Sequence, residues 1–275
     1  MTEPAISIRR AGTPEEYRAC QEAQREAWGI VEDGYIVPVA TLVAAQLHGG
    51  LVLGAFLPDG TAVGMNFAFL GRLEGRICLY SQLLGIVPGY QDRGLGGRIK
   101  EVQREIARSE GIPHIAWAYD PLQAGNARFN LDKLGATGVR FVPNMYGLRT
   151  DALNAGMPSD RLIVEWPTTE APPRPIMRFD EVLKLPAWID AAGGDAVGSA
   201  NRPLGPITTI EIPADLARLR KDDPESLLRW RMIVREAFVS AFHAGYRAIG
   251  FRRGEMEGRS RCFYLLEIRG IAPSD

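Results

Sequence analysis

The residues with the clearest chemical potential lie in one short string, Gln91-Asp92-Arg93-Gly94-Leu95-Gly96-Gly97-Arg98. Gly94, Gly96 and Gly97 let backbone N–H groups approach an anion closely, and a helix starting there adds a favourable partial positive charge. Three phosphate-cradle patterns compete for such a string. A P-loop ends in Gly-Lys-Ser/Thr, which is absent here. A Rossmann fingerprint needs Gly-x-Gly-x-x-Gly/Ala; Gly94 and Gly96 meet its start, but Ile99 stands at its end. The third pattern, Gln/Arg-x-x-Gly-x-Gly/Ala, is met in full by Gln91, Gly94 and Gly96.

Such a loop needs a strand before it and a helix after it. Ile77 to Val87 is an apolar run stopped by Pro88-Gly89. A helix is predicted from Gly94 to Glu110, closed by Gly111 and Pro113, with Leu95, Ile99, Val102 and Ile106 as its buried stripe. Upstream, Ile6 and Ile8 mark a short strand, and Thr13 caps a helix running to Trp28. Leu51–Phe56 and Ala62–Leu70 read as strands joined at Pro58-Asp59-Gly60. Downstream come a strand over His114–Tyr119, a short helix over Asn126–Leu134 closed by Gly135, and a strand over Thr137–Tyr146. The order is that of a mixed α/β fold with helices packed on a sheet.

After Trp166 the composition changes. Residues 167–205 are proline-rich and read as a connector with a short helix around Phe179 to Asp190. Beyond it, a strand over Ile207–Ile212, an amphipathic helix through Leu227, Trp230, Val234 and Phe238, and a strand over Cys262–Ile268 form an extra β-α-β element. The expected division is therefore 1–166, 167–205 and 206–275.

Bulk composition narrows the function. The 275 residues carry 32 lysines and arginines against 33 acids, leaving none of the basic excess that a nucleic-acid partner normally requires. Cys20, Cys78 and Cys262 lack redox or metal spacing and read as reduced structural thiols, and His48, His114 and His243 are isolated, so no metal site is expected. No signal peptide and no membrane span are expected, which points to the cytoplasm.

The glycine string, in its context, resembles the coenzyme-A pyrophosphate loop of the GNAT superfamily of N-acyltransferases. Lys133-Leu134-Gly135-Ala136 resembles that superfamily's second conserved region. The strings WAYDPLQAGNARFNLDKLGA, NMYG, PSDRLIVEW and HAGYRAIGF resemble a little-characterised bacterial branch that includes predicted amino-acid acyltransferases. The resemblance implies a mostly antiparallel central sheet flanked by helices, with acetyl-CoA or another acyl-CoA as co-substrate. It places Leu84, Gly85 and Ile86 along the pantetheine arm. Gln91, Arg93, Gly94, Leu95, Gly96, Gly97 and Arg98 fall at the pyrophosphate, with Lys100 also near phosphates, and Asn126 and Asn130 contact the coenzyme from a neighbouring helix. A small-molecule amine, an amino acid first, is the implied acceptor. A homodimer is left open.

Direct acyl transfer needs a neutral amine. An amine with a pKa near 10 is about 0.1% neutral at pH 7, a handicap of about 4 kcal/mol that a general base worth about 10²–10⁴ partly offsets. Asp120, Glu26 and His48 are the candidate bases. The superfamily often places a thiolate-protonating tyrosine where this chain has Leu131, so Tyr146, Tyr119 and Tyr80 are the candidate acids. Arg161 reads either as the partner of Asp160 or as a clamp for a substrate carboxylate. A catalytically silent coenzyme-A-binding module is the alternative, and a dinucleotide oxidoreductase a distant third.

Overall fold

A computed structural model describes residues 5–147, 157–169, 177–191, 197–198 and 205–268. The chain divides into two compact units, Met1–Trp117 with Pro167–Glu170, and Ala118–Trp166 with Ala171–Asp275. The expected boundary after Trp166 does not coincide with this division, because residues 118–166 group with the C-terminal segment.

The first unit runs β1 (Ser7–Arg10), α1 (Pro14–Trp28), a 3-10 turn (Asp33–Tyr35), α2 (Val39–Leu47), β2 (Leu51–Phe56), β3 (Ala62–Leu73), β4 (Arg76–Ile86), α3 (Leu95–Ser109) and the start of β5 (His114–Tyr119). Local chemistry sets these bounds. Thr13 accepts the Glu16 N–H at the start of α1, proline occupies the first turn, and Gly29 closes the helix in the left-handed region. Glu74 (φ 49°) and Gly75 (φ 80°) make the two-residue turn that folds β3 back on β4 with Leu73 opposite Arg76. Strand order is β1-β2-β3-β4-β5. Neighbours are antiparallel except β4 and β5, which are parallel and paired only at Leu79–Ile115 and Tyr80–Ala116. Tyr17, Cys20 and Ala23 of α1 pack on Val52, Phe56 and Met65 of the sheet to form the core.

In the second unit follow α4 (Ala124–Ala127), a π-helical turn (Arg128–Lys133), β6 (Thr137–Val142), β7 (Arg161–Pro167), α5 (Phe179–Val182), β8 (Ile189–Asp190), β9 (Val197–Gly198), β10 (Ile207–Ile212), α6 (Leu216–Asp222), α7 (Pro224–His243), β11 (Tyr246–Met256) and β12 (Arg259–Ile268). Here β7-β6-β11-β12-β10 pair antiparallel throughout. Phe238 of α7 stacks on Phe141 at 5.2 Å and meets Tyr264 edge-on at 5.0 Å. All three cysteines are free and buried.

The expected fold class, a mixed and mostly antiparallel α/β arrangement, is what the strands adopt. Beyond the expectation lie α2, β7, the short pair β8 and β9, α6 and β11. The predicted strand to Tyr146 stops at Val142, because Asn144 turns the chain with φ 45°. The predicted helix over Asn126–Leu134 is a single α-helical turn that widens into the π-helical one.

Candidate functional site: the β4–α3 turn

The turn begins where β4 ends. Pro88 and Gly89 (φ 91°) form a tight reversal in which Tyr90 N–H bonds Val87 O at 3.1 Å. Gln91 donates its side-chain amide to Ile86 O at 3.0 Å, tying the loop to the strand end. Asp92 (φ 60°) and Gly94 (φ 73°) then take the left-handed conformations that aim the chain into α3.

Gly94 caps α3 with backbone alone. No side chain accepts from the first turn, and that turn carries no acid. The N–H groups of Leu95, Gly96 and Gly97 have no carbonyl a turn earlier in the helix to receive them, so they and the helix dipole point donors outward. A Cβ at Gly96 would meet only Leu84 Cδ2 at 4.0 Å, so the backbone there is open to close approach. Arg93 and Arg98 are exposed beside it; Arg93 lies 5.5 Å over the Tyr90 ring, and Arg98 donates to Ile6 O at 3.3 Å. Outward N–H donors, a helix N-terminus and two arginines are chemistry that suits an anion.

The strand beside it is equally informative. From Ser81 onward β4 pairs with β3 alone among the described residues, since its contact with β5 ends at Tyr80. A bulge leaves Gln82 extra, with Phe67 opposite Leu83 and Ala68 opposite Ser81. Leu84, Gly85 and Ile86 thus sit on a strand segment with one open edge. Gly85 has a packing reason for its type: a Cβ would fall 2.5 Å from the Trp28 ring and 2.8 Å from Ala27 Cβ of α1. Two residues before Trp28, Glu26 is exposed in the last turn of that helix.

Lys100 corrects an expectation. The resemblance puts it near phosphates with Arg98, yet it is 2% exposed and points into the first unit. Its Nζ lies 3.0 Å from Ser81 Oγ, 3.0 Å from Gln103 Oε1 and 3.7 Å over the Trp117 ring. Burial drives its pKa well below the ordinary lysine value.

The second unit holds the remaining candidates. Both oxygens of Asp120 are taken by Arg231, at 2.6 and 2.8 Å, and Oδ1 also accepts Leu122 N–H. A base role would require that pair to open. Asp160 is paired with Arg235 rather than Arg161, at 2.7 and 3.0 Å, and accepts Asn144 N–H, which corrects the expected Asp160–Arg161 ion pair. Arg161 instead lies 5.2 Å over the Tyr146 ring, so these two candidates are neighbours. Tyr146 is exposed and its N–H donates to Ser159 Oγ. Tyr119 is buried against Tyr264, and burial makes its hydroxyl harder to ionise. Asn126 is exposed on α4, whereas Asn130 and Leu131 are buried in the π-helical turn.

Sequence reasoning missed Asn66, Ser81, Arg231 and Arg235. The arginines did carry a signal: spaced four apart on α7, they interrupt the apolar stripe of Leu227, Trp230, Val234 and Phe238. Among the described residues no cluster of three or more histidine, cysteine or acidic side chains could hold a metal, and no helix is long and apolar enough to cross a membrane.

No family model and no curated protein matches the chain. Solved structures do. An acetyltransferase of the GNAT family from Desulfovibrio desulfuricans is 18% identical, with a TM-score of 0.45 over 60% of this chain and 100% of that one. The ribosomal-protein-S18-alanine N-acetyltransferase of Escherichia coli is 17% identical, with a TM-score of 0.46 over 63% and 100%. The YncA protein of Salmonella typhimurium, solved with acetyl-CoA, is 20% identical, with a TM-score of 0.48 over 63% and 99%.

Proposed function

We propose that the protein is an acyl-CoA-dependent N-acyltransferase acting on the primary amine of a small molecule, with an amino acid as the favoured acceptor and acetyl or succinyl as the group moved. The observation that carries this reading is the α3 start, where a backbone-capped, acid-free helix terminus with an open Gly96 follows directly on a strand with a free edge. Leu95, Gly96 and Gly97 would hold the diphosphate through their N–H groups, with Arg93 and Arg98 supplying charge. The open edge of β4 at Leu84 to Ile86 would receive the pantetheine amides as a further strand does, and one N–H there would polarise the thioester carbonyl. The coenzyme itself supplies the activated acyl group.

Proton traffic falls to side chains. Tyr146, exposed, is the better donor to a leaving thiolate than Tyr119, which is buried. Glu26, exposed, is the better acceptor of the amine proton than Asp120, whose oxygens are held by Arg231. Arg161, set against the Tyr146 ring, is assigned to an acceptor carboxylate, and this is what favours amino acids. The buried Leu131, standing where the superfamily often has tyrosine, favours one rival, a coenzyme-A-binding module without turnover.

Calorimetric titration with CoA, acetyl-CoA and succinyl-CoA, followed by turnover with a panel of amino acids, tests the reading. Wild type is expected to bind at micromolar levels, and Gly96→Glu to lose at least about a hundredfold in affinity, near 2.7 kcal/mol. Gly96→Glu is preferred to Gly94→Glu because Gly94 has φ 73°, where any side chain adds strain. Binding without turnover on any amine would select the silent module. Folded wild type that binds no CoA would refute both.

A further inference from the structure

Lys100 is left unexplained by this account. A lysine this buried is costly unless paired with a carboxylate. The polar groups around it are Ser81, Gln103 and Asn66, all neutral, and the face of Trp117. The cluster is not even fully satisfied: Asn66 Oδ1 and Gln103 Nε2 are buried with no hydrogen-bond partner among the described residues. A core built for stability would hold aliphatic groups here. Polar groups kept at a net cost point to a geometric task.

Its location suggests that task. Asn66 Nδ2 donates to Ser81 Oγ at 2.9 Å and to Leu83 O at 2.7 Å, gripping β4 on both sides of the bulged Gln82. Lys100 bonds the same Ser81 hydroxyl from α3. Its own position is one helical turn beyond Gly96, so it is rigidly linked to the terminus assigned to the diphosphate. The three side chains therefore fasten the helix that would hold the phosphates to the strand segment that would hold the thioester, at the point where that strand changes register.

We infer that Lys100, through Ser81 and Asn66, is a positioning residue that sets the spacing and orientation between the diphosphate-holding start of α3 and the open edge of β4. The inference rests on the acyltransferase reading. It concerns how two halves of one ligand are brought into register, and it gives Lys100 no contact with the reacting atoms.

The test separates those halves. 3′-Phospho-ADP carries the diphosphate without the thioester arm; acetyl-CoA carries both. In Lys100→Met, affinity for 3′-phospho-ADP is expected to stay within about twofold of wild type, while acetyl-CoA weakens about tenfold or more and kcat falls with it. Ser81→Ala, which removes the shared hydroxyl without disturbing volume, should reproduce the pattern and serves if Lys100→Met does not fold. Equal weakening of both ligands, or of neither, in a folded variant would overturn the inference and leave the acyltransferase reading intact. Folded wild type that binds neither ligand would overturn both.

Discussion

Among the described residues each unit buries one basic side chain, and the two are solved differently. Lys100, 2% exposed, is surrounded by a serine, a glutamine and an indole. Arg231, 3% exposed, is gripped by both oxygens of Asp120. The difference follows from proton chemistry. A guanidinium does not deprotonate in a protein, so burying it requires a counter-charge with matching fork geometry. An ammonium can shed its proton, and neutral partners then suffice. For a neutral Lys100 amine the bonds close: Ser81 O–H donates to the nitrogen lone pair, and two N–H groups remain for Gln103 Oε1 and the Trp117 face. One site is permanently ionic and the other conditionally so.

The contrast can be broken most forcefully from the ionic side. Asp120→Asn leaves Arg231 buried with no compensating charge and should cost about 3–5 kcal/mol in urea unfolding. A change within experimental error would mean that Arg231 finds water, and that Asp120 is free for other work. The conditional site responds to pH instead. Because the folded-state pKa of Lys100 is depressed, the unfolded chain binds more protons between that value and about 10.4. Stability contributed at this site should therefore rise with pH across that window and level off above it. Lys100→Met should lack that component of the slope, as paired unfolding curves from pH 7 to pH 10 would show. The smallest effect is expected at Gln103→Met, which withdraws one neutral acceptor and should cost about 1 kcal/mol by thermal unfolding. A loss several times larger would indicate that Lys100 is charged after all.

The two sites also differ in what the sequence reveals. Caps and turns were legible because their causes are local: Thr13 followed by Pro14, or Gly111 after α3, act within a few residues. The glycine string was legible for the same reason. Lys100 was not, because charge argued for the surface. The buried face of α3 is Leu95, Ile99, Lys100, Gln103 and Ala107, while Val102 and Ile106 of the expected stripe are only half-buried. The Asp120–Arg231 pair joins positions 111 residues apart, beyond any periodicity. Strand β11 escaped notice because Gly250, Gly254 and Arg252-Arg253 interrupt its alternation. Yet Glu257 (φ 53°) and Gly258 (φ 73°) form the same kind of turn as Glu74-Gly75, and that dipeptide was the available signal. Helix α2 has Pro38 as its N-cap, which offers no capping side chain, so nothing at its start announces it.

The burial of the three thiols has a practical corollary. Burial pushes Cys20 to about 12 and Cys262 to about 11, and Cys78 is equally enclosed. At pH 8 the reactive thiolate of Cys20 would be on the order of one molecule in ten thousand, and that of Cys262 one in a thousand. In an assay of the proposed transfer, a disulfide reagent added to the native protein would therefore register sulfhydryl set free from an acyl donor and almost nothing of the protein. The protein supplies a dark background for testing the proposed reaction.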